Sequence, residues 1–373
     1  MISTDTYYPA VLSINLQDGN DLSRGSGVLL AGGKYILTAA HVIADYGNTS
    51  NISLSNLDNL NFPAIKSVTV HPDWDPTTFN NDIAIIELEQ PITDIQGLDL
   101  YRETDLIGKE FIRVGYSNGE DAPQHIGTNI YDAPGSILNT PYDRSVPDGT
   151  QLLYDFDNGN EQQNMLNQLS HFSGLSSDAT PTSQETIAQS GDSGGPSLID
   201  GKVAGIASYV VADAAYDADT ATASSAGETG ADTNVANYID WIDQVTETTV
   251  PEEPKSIEDV VTEVVEPDDG SCINYFLLCT EKPQERPIKL WYETLENKST
   301  ATEGKDYLGT SGWVEINQGY SCASIPVRIF GDKEPEQNES IVMQVSDPSH
   351  EWLQEGVTLI AEHTIQDNDL LFG

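Results

Sequence analysis

Short β-branched runs separated by Gly, Pro, Asn and Asp constrain this chain more than any other feature. AVLSINL, SGVLL, KYILTAA, DIAIIEL, FIRVGY and PSLIDGKVAGIASYVV follow one another from the start, rich in residues that fit a pleated, half-buried surface. Such spacing predicts an all-β barrel or sandwich. The pattern changes at NVANYIDWIDQV, where Tyr238, Trp241, Ile242 and Val245 fall at i, i+3, i+4 and i+7 and predict one closing amphipathic helix. Residues 246–271, TETTVPEEPKSIEDVVTEVVEPDDGS, are Pro-, Glu- and Thr-rich and poor in aromatics, and read as a linker. Strand-like runs then return as CINYFLLC, PIKLWYET, GWVEINQG, ASIPVRIF, SIVMQVS and LIAEHTI, which predicts an immunoglobulin-like sandwich. The expected division is a first domain over 1–246, an acidic linker over 247–267 and a sandwich over 268–373, in keeping with a length of 373 residues.

The 16 basic and 60 acidic residues give a net charge of −44. Residues 1–246 hold 8 basic and 34 acidic residues, and residues 247–373 hold 8 and 26, so the charge is not confined to one tail. An acidic surface of this kind repels phosphate backbones and anionic lipid, which argues against nucleic acid as a partner and in favour of cations. It also suits high salt, where self-repulsion is screened. MISTDTYYPA carries no basic region and no apolar core, so no secretory signal is visible, and no run is apolar for the ~18 residues of a membrane span.

All three cysteines, Cys272, Cys279 and Cys322, fall in the last third. If CINYFLLC is one strand, its rise of roughly 3.3 Å per residue holds Cys272 and Cys279 apart. Cys279 with Cys322 is the expected bridge.

The stretch TIAQSGDSGGPSL sets Ser193 between Asp192 and Gly194-Gly195, with Gly191 just ahead. Alone, this is the composition of an ordinary turn. A serine nucleophile needs a base in hydrogen-bond reach, itself oriented by a third group. YILTAAHVI supplies His41 after an apolar strand, and HPDWDPTTFNNDIAIIELEQPI supplies Asp82 at the entry to another. Singly these read as a packed histidine and a turn residue; together they form a constellation.

In chain order and in the wording TAAH, NDIAII and GDSGGP, residues 7–245 resemble the trypsin and chymotrypsin family. GYS at 115–117, VAGIASY at 203–209 and TNVANYIDWI strengthen the likeness. The resemblance implies an all-β, two-barrel chymotrypsin-like domain with a C-terminal helix, and an endopeptidase acting on protein or peptide substrates through an acyl-enzyme without a cofactor. His41, Asp82 and Ser193 would be its triad. The N–H groups of Gly191 and Ser193 would form the oxyanion hole, and Ser208 would support Asp82 from behind. Asp192 would pair with a freed α-amino group of an Ile or Val; since the residues given begin Met1-Ile2, a leader, a propeptide and a cleavage site are expected ahead of them. Ile187, Val210 and Gly230 fall at the specificity pocket, with Gly230 leaving one wall open. An isoleucine base leaves a substrate ammonium unpaired, so small or medium apolar residues before the cut are expected; Glu185 is the acid to examine if basic residues are preferred instead. Residues 118–180 read as an insertion, and His71, His125 and His171 as surface or packing residues. The cysteine-free first domain fits a bacterial member, secreted or held at the cell surface. The competing expectation is a non-catalytic binding or adhesion protein that keeps the protease fold as a scaffold.

STATEGKDYLGTSGWVEINQGYSCASIPVRIFGDKEPEQNESIVMQV and the ending HTIQDND resemble a Calx-beta domain, from about 268 to 369. That resemblance implies an immunoglobulin-like sandwich that can bind calcium through Asp306, Asp332, Glu336, Glu339, Asp367 and Asp369, and a contact with the cell surface or the secretion machinery. Calcium takes 6–8 oxygen ligands, so acids from several loops must converge.

Overall fold

The computed structural model of the chain describes residues 7–18, 21–46, 49–56, 62–116, 124–173, 181–220 and 224–369. The chain divides into two compact units, Met1–Ile242 and Asp243–Gly373. Both are built of β-sheet, as the punctuated apolar runs require.

The first unit contains two sheets. One has six strands in the order Ile52–Ser55, Val11–Asp18, Asp21–Leu29, Tyr35–Thr38, Ala84–Leu88 and Ile65–Val70. Its neighbours are antiparallel throughout. Tyr35–Thr38 is buried along its whole length because it lies inside the sheet, which is why this run does not alternate. Ile14, Leu29, Ile36, Leu37 and Ile86 expose nothing, and each such side chain contributes about 1.5–3 kcal/mol relative to an exposed one.

The other sheet has seven strands in the order Gln124–Ile130, Glu110–Tyr116, Pro196–Ile199, Lys202–Val211, Thr229–Asn234, Gln151–Asp155 and Ala133–Pro134. Three of these come from the segment expected to be an insertion. QHIGTNI and QLLYD are too mixed in polarity to stand out as sheet strands, yet Gln151–Asp155 is buried at every position. The closing helix forms as expected: a 3₁₀ turn over Val235–Tyr238 runs into Ile239–Val245, with the Asn234 side chain accepting the N–H of Ala236 at 3.2 Å.

The second unit is a sandwich of a three-stranded sheet (Thr248–Thr249, Ser271–Cys279, Cys322–Phe330) and a five-stranded one (Glu263–Val265, Thr358–Gln366, Glu339–Ser346, Ile288–Thr294, Ser311–Ile316). All six strand-like runs of the sequence are strands, closing over Phe276, Tyr307, Ile329, Ile341 and Met343. Within the segment expected as linker, Thr248–Thr249 and Glu263–Val265 each pair in parallel with a sandwich strand. Edge pairing needs only backbone donors and acceptors, so composition alone gives no hint of it.

Cys279 and Cys322 lie opposite one another on neighbouring strands, their Cα atoms 4.2 Å apart, and are disulfide-bonded. Cys272 is free and buried, and burial pushes its thiol up to about 11. The bridge closes a 43-residue separation. Cys279→Ala is expected to lower the stability of this unit by about 2–4 kcal/mol, measured by thermal unfolding of the intact chain; an unchanged transition contradicts the assignment.

Candidate functional site

His41 sits in the one-turn helix Ala40–Ile43 that follows the buried strand Tyr35–Thr38. Asp82 lies just ahead of the neighbouring strand Ala84–Leu88 and exposes nothing. The two strands pair directly, and this brings residues 41 positions apart into contact. The Asp82 Oδ2 atom lies 2.7 Å from His41 Nδ1 and accepts the Ser208 hydroxyl at 2.5 Å. Its Oδ1 accepts the backbone N–H of His41 at 2.8 Å. The carbonyl of Asp82 accepts the Thr233 hydroxyl at 2.8 Å. Because a carboxylate only accepts, Nδ1 must carry the proton, which leaves Nε2 as the basic nitrogen.

Ser193 reaches this place through its backbone. Its carbonyl accepts the N–H of Ser26 at 2.7 Å, and Gly194 N–H donates to Ala207 at 2.9 Å. Gly194 has φ +81°, and a Cβ there would lie 2.2 Å from Thr38 Oγ1 and 3.0 Å from Ala39 N, so only glycine lets the serine turn close against the segment leading to His41. The N–H groups of Gly191 and Ser193 donate no hydrogen bond among the described residues. The Ser193 hydroxyl likewise has no hydrogen-bond partner there, so no bond joins it to His41 among the described residues.

Sequence reasoning missed Ser26. Fully buried, its hydroxyl donates to Gly191 O at 2.9 Å and accepts Tyr116 N–H at 2.8 Å, so it joins the first sheet to the serine turn and to the second sheet. Asp192 is also fully buried: its Oδ2 lies 2.6 Å from His125 Nδ1, and its Oδ1 has no hydrogen-bond partner among the described residues. His125 therefore departs from its expected packing role. Met1 and Ile2 lie outside the described residues, as does the side chain of His171. His71 packs against Tyr238 and Trp241, at 5.3 and 5.0 Å between ring centres.

The expected pocket residues converge on one side chain that was not foreseen. Tyr154 pairs across the sheet with Gly230, which in turn pairs with Val210. A Cβ on Gly230 would lie 2.2 Å from the Tyr154 ring, so the wall expected to be open is filled by that ring. Ile187 packs in the same cluster, only 1% exposed. Behind it, the buried Arg113 donates to Tyr154 Oη at 2.9 Å and to Asp232 at 2.5 Å, and lies over the faces of Phe111 and Tyr154. Asp232 also accepts the hydroxyls of Tyr131 and Ser197, each at 2.6 Å, so the acid of this buried pair is well bonded, whereas Arg113 donates through Nη2 alone and its Nε and Nη1 have no hydrogen-bond partner among the described residues. The Glu185 carboxylate is taken by the N–H and hydroxyl of Thr182.

In the second unit the expected acids form two groups whose oxygens lie within 4.8 Å of one another: Asp306, Glu336 and Glu339, and Asp367 and Asp369 with Glu266. Asp332 stands near enough to the second group to raise the Glu266 carboxyl, but is not one of its three members. Lys305 bonds Glu336 in the first group. Asp367 also caps local backbone, accepting from Glu336 N and Asp369 N at 2.6 and 2.7 Å. Glu266 escaped sequence reasoning because it falls in the apparent linker. Burial and the neighbouring acids push the Glu266 carboxyl up to about 7, and burial with Asp306 does the same to Glu339.

Residues 3–142 match the family described as Trypsin, and residues 257–369 match the Calx-beta domain. The first match includes His41 and Asp82 and ends before Ser193. No curated protein matches the chain. Among the described residues no helix is long and apolar enough to cross a membrane.

Between the unfolded carboxyl range and pH 7, the folded protein holds more protons at Glu266 and Glu339, so stability falls as pH rises through that window. Below about 6.5 the buried His363, pushed down to about 4, opposes this trend. With chelator present, the second unit's melting temperature is expected to fall between about pH 6.5 and about pH 8. Scanning calorimetry measures it, and a rise across that interval contradicts the reading.

Proposed function

We propose that this chain, a trypsin domain followed by a Calx-beta domain, is a serine endopeptidase with an accessory calcium-binding unit. The observation that carries the reading is the fully buried Asp82 carboxylate holding His41 Nδ1 at 2.7 Å beside a serine turn in which the Gly191 and Ser193 N–H groups donate no hydrogen bond among the described residues. Ser193 attacks the scissile carbonyl as His41 Nε2 takes its proton. The imidazolium then returns that proton to the leaving amine, and water repeats the cycle to release the acyl group. Asp82 fixes the tautomer and balances the imidazolium; Ser208 fixes Asp82. The N–H groups of Gly191 and Ser193 receive the oxyanion, and one such donor is worth about 10²–10³ in kcat.

The pocket favours small apolar side chains before the cut. Tyr154 fills the space beside Gly230, Val210 narrows the opposite strand, and Ile187 offers no partner to a charge. The disulfide and the acidic surface fit an oxidising setting outside the cell, where the second unit provides the contact with a cell surface or secretion apparatus.

An organophosphonate is expected to label wild-type protein and leave Ser193→Ala unlabelled, and the wild type is expected to cleave after Ala or Val faster than after Arg in a peptide panel. Failure of the wild type to react would favour the adhesion scaffold instead.

Carboxylate oxygens are the ligands calcium prefers. Glu266, Asp367 and Asp369 would hold it, with Asp306, Glu336 and Glu339 as a second site in which Lys305 competes for Glu336. Calcium titrated into the chelated protein is expected to give binding heat and raise the second unit's melting temperature, both reduced by Asp367→Asn. No heat and no shift would exclude the site.

A further inference from the structure

Asp192 precedes the serine, and its carboxylate organises the serine turn. Oδ2 accepts the N–H of Gln189 at 2.8 Å, Asp192 N–H donates to Gln189 O at 2.9 Å, and Gly195 N–H donates to Asp192 O at 2.7 Å. These bonds close residues 189–195 into the loop that presents the Gly191 and Ser193 N–H groups. A carboxylate with no exposed surface cannot stay charged there without a donor or cation beside it.

That donor comes from the second sheet. His125 lies on the strand Gln124–Ile130, directly opposite Gly115 on Glu110–Tyr116. A Cβ on Gly115 would lie 2.4 Å from Asp192 Oδ1, so the two strands form a slot: glycine admits the carboxylate and histidine holds it. The imidazole is fixed from both ends, with Nδ1 at 2.6 Å from Asp192 Oδ2 and Nε2 at 2.9 Å from the Thr186 hydroxyl. Thr186 stands next to the pocket residue Ile187, so the clamp touches both ends of the segment between pocket and nucleophile. Nδ1 must donate, since the carboxylate only accepts.

We propose that His125 is a positioning residue for the acyl-transfer site: its N–H, anchored by Thr186, holds Asp192 and through it sets the oxyanion loop. The proposal rests on the endopeptidase reading. His125 never touches substrate; it acts through Asp192, so its loss lowers kcat and leaves KM nearly unchanged. The side chain is the fixed partner of one carboxylate oxygen, Oδ2, while Oδ1 has no hydrogen-bond partner among the described residues.

The test compares wild type, His125→Phe and His125→Asn in the intact chain. Asparagine keeps an N–H close to the Nδ1 position; phenylalanine keeps the ring's bulk and loses the donor. His125→Phe is expected to slow phosphonylation of Ser193 and to lower kcat about a hundredfold, the usual penalty for misplacing reacting groups by roughly an ångström. His125→Asn is expected to recover most of that loss, with both variants melting as folded proteins. Wild-type rates in His125→Phe would overturn the proposal, as would a loss that His125→Asn does not recover. Absence of Ser193 labelling in the wild type would instead overturn the endopeptidase reading itself.

Discussion

A carboxylate with no access to water, Asp82, fixes the relative placement of the two sheets at the site. It accepts bonds from the backbone and ring of His41, which follows a strand of the first sheet, and from Ser208, on a strand of the second. Thr233, on the next strand, holds its carbonyl. Removing one partner from such a buried charge typically costs about 3–5 kcal/mol. The arrangement that fixes the His41 tautomer is therefore also a structural fastening. Ser26 provides a second one, binding Gly191 and Tyr116 through one hydroxyl.

The sequence was legible where local pattern and tertiary role coincide. TAAH and NDIAII each combine a buried strand with a polar residue at its end, so the strand pairing that builds the core also delivers His41 to Asp82. The six runs after residue 268 alternate or cluster as strands must, and all became strands. What stayed hidden acts at a distance. His125 and Asp192 are 67 residues apart, and no local pattern marks a histidine on a polar strand as the partner of a buried acid. Tyr154 lies in QLLYD, a run read as insertion, and its closure of the Gly230 wall follows from cross-strand register. Glu266 was hidden by composition, because an acidic Pro-rich segment looks the same whether or not it docks.

The second unit shows how an acid-rich composition becomes a local constraint. Most of its carboxylates are solvated, but Glu266 and Glu339 are crowded by other acids, and both are pushed up to about 7. Each ionisation there opposes the folded state until a cation or proton offsets it. Lys305 supplies one fixed cation, at Glu336. At the Glu266 group the charge of Lys333 acts on Asp369 against the pull of Asp367, Asp268 and Asp332.

The central claim is that Ser193, His41 and the Gly191–Ser193 N–H pair act on one carbonyl. A crystal structure of the phosphonate-treated protein tests it most directly. The account predicts phosphorus bonded to Ser193 Oγ, one phosphonyl oxygen accepting from Gly191 N and Ser193 N, and His41 Nε2 within hydrogen-bond reach of the adduct. Phosphorus on another residue, or an adduct whose oxygens point away from both N–H groups, would contradict it.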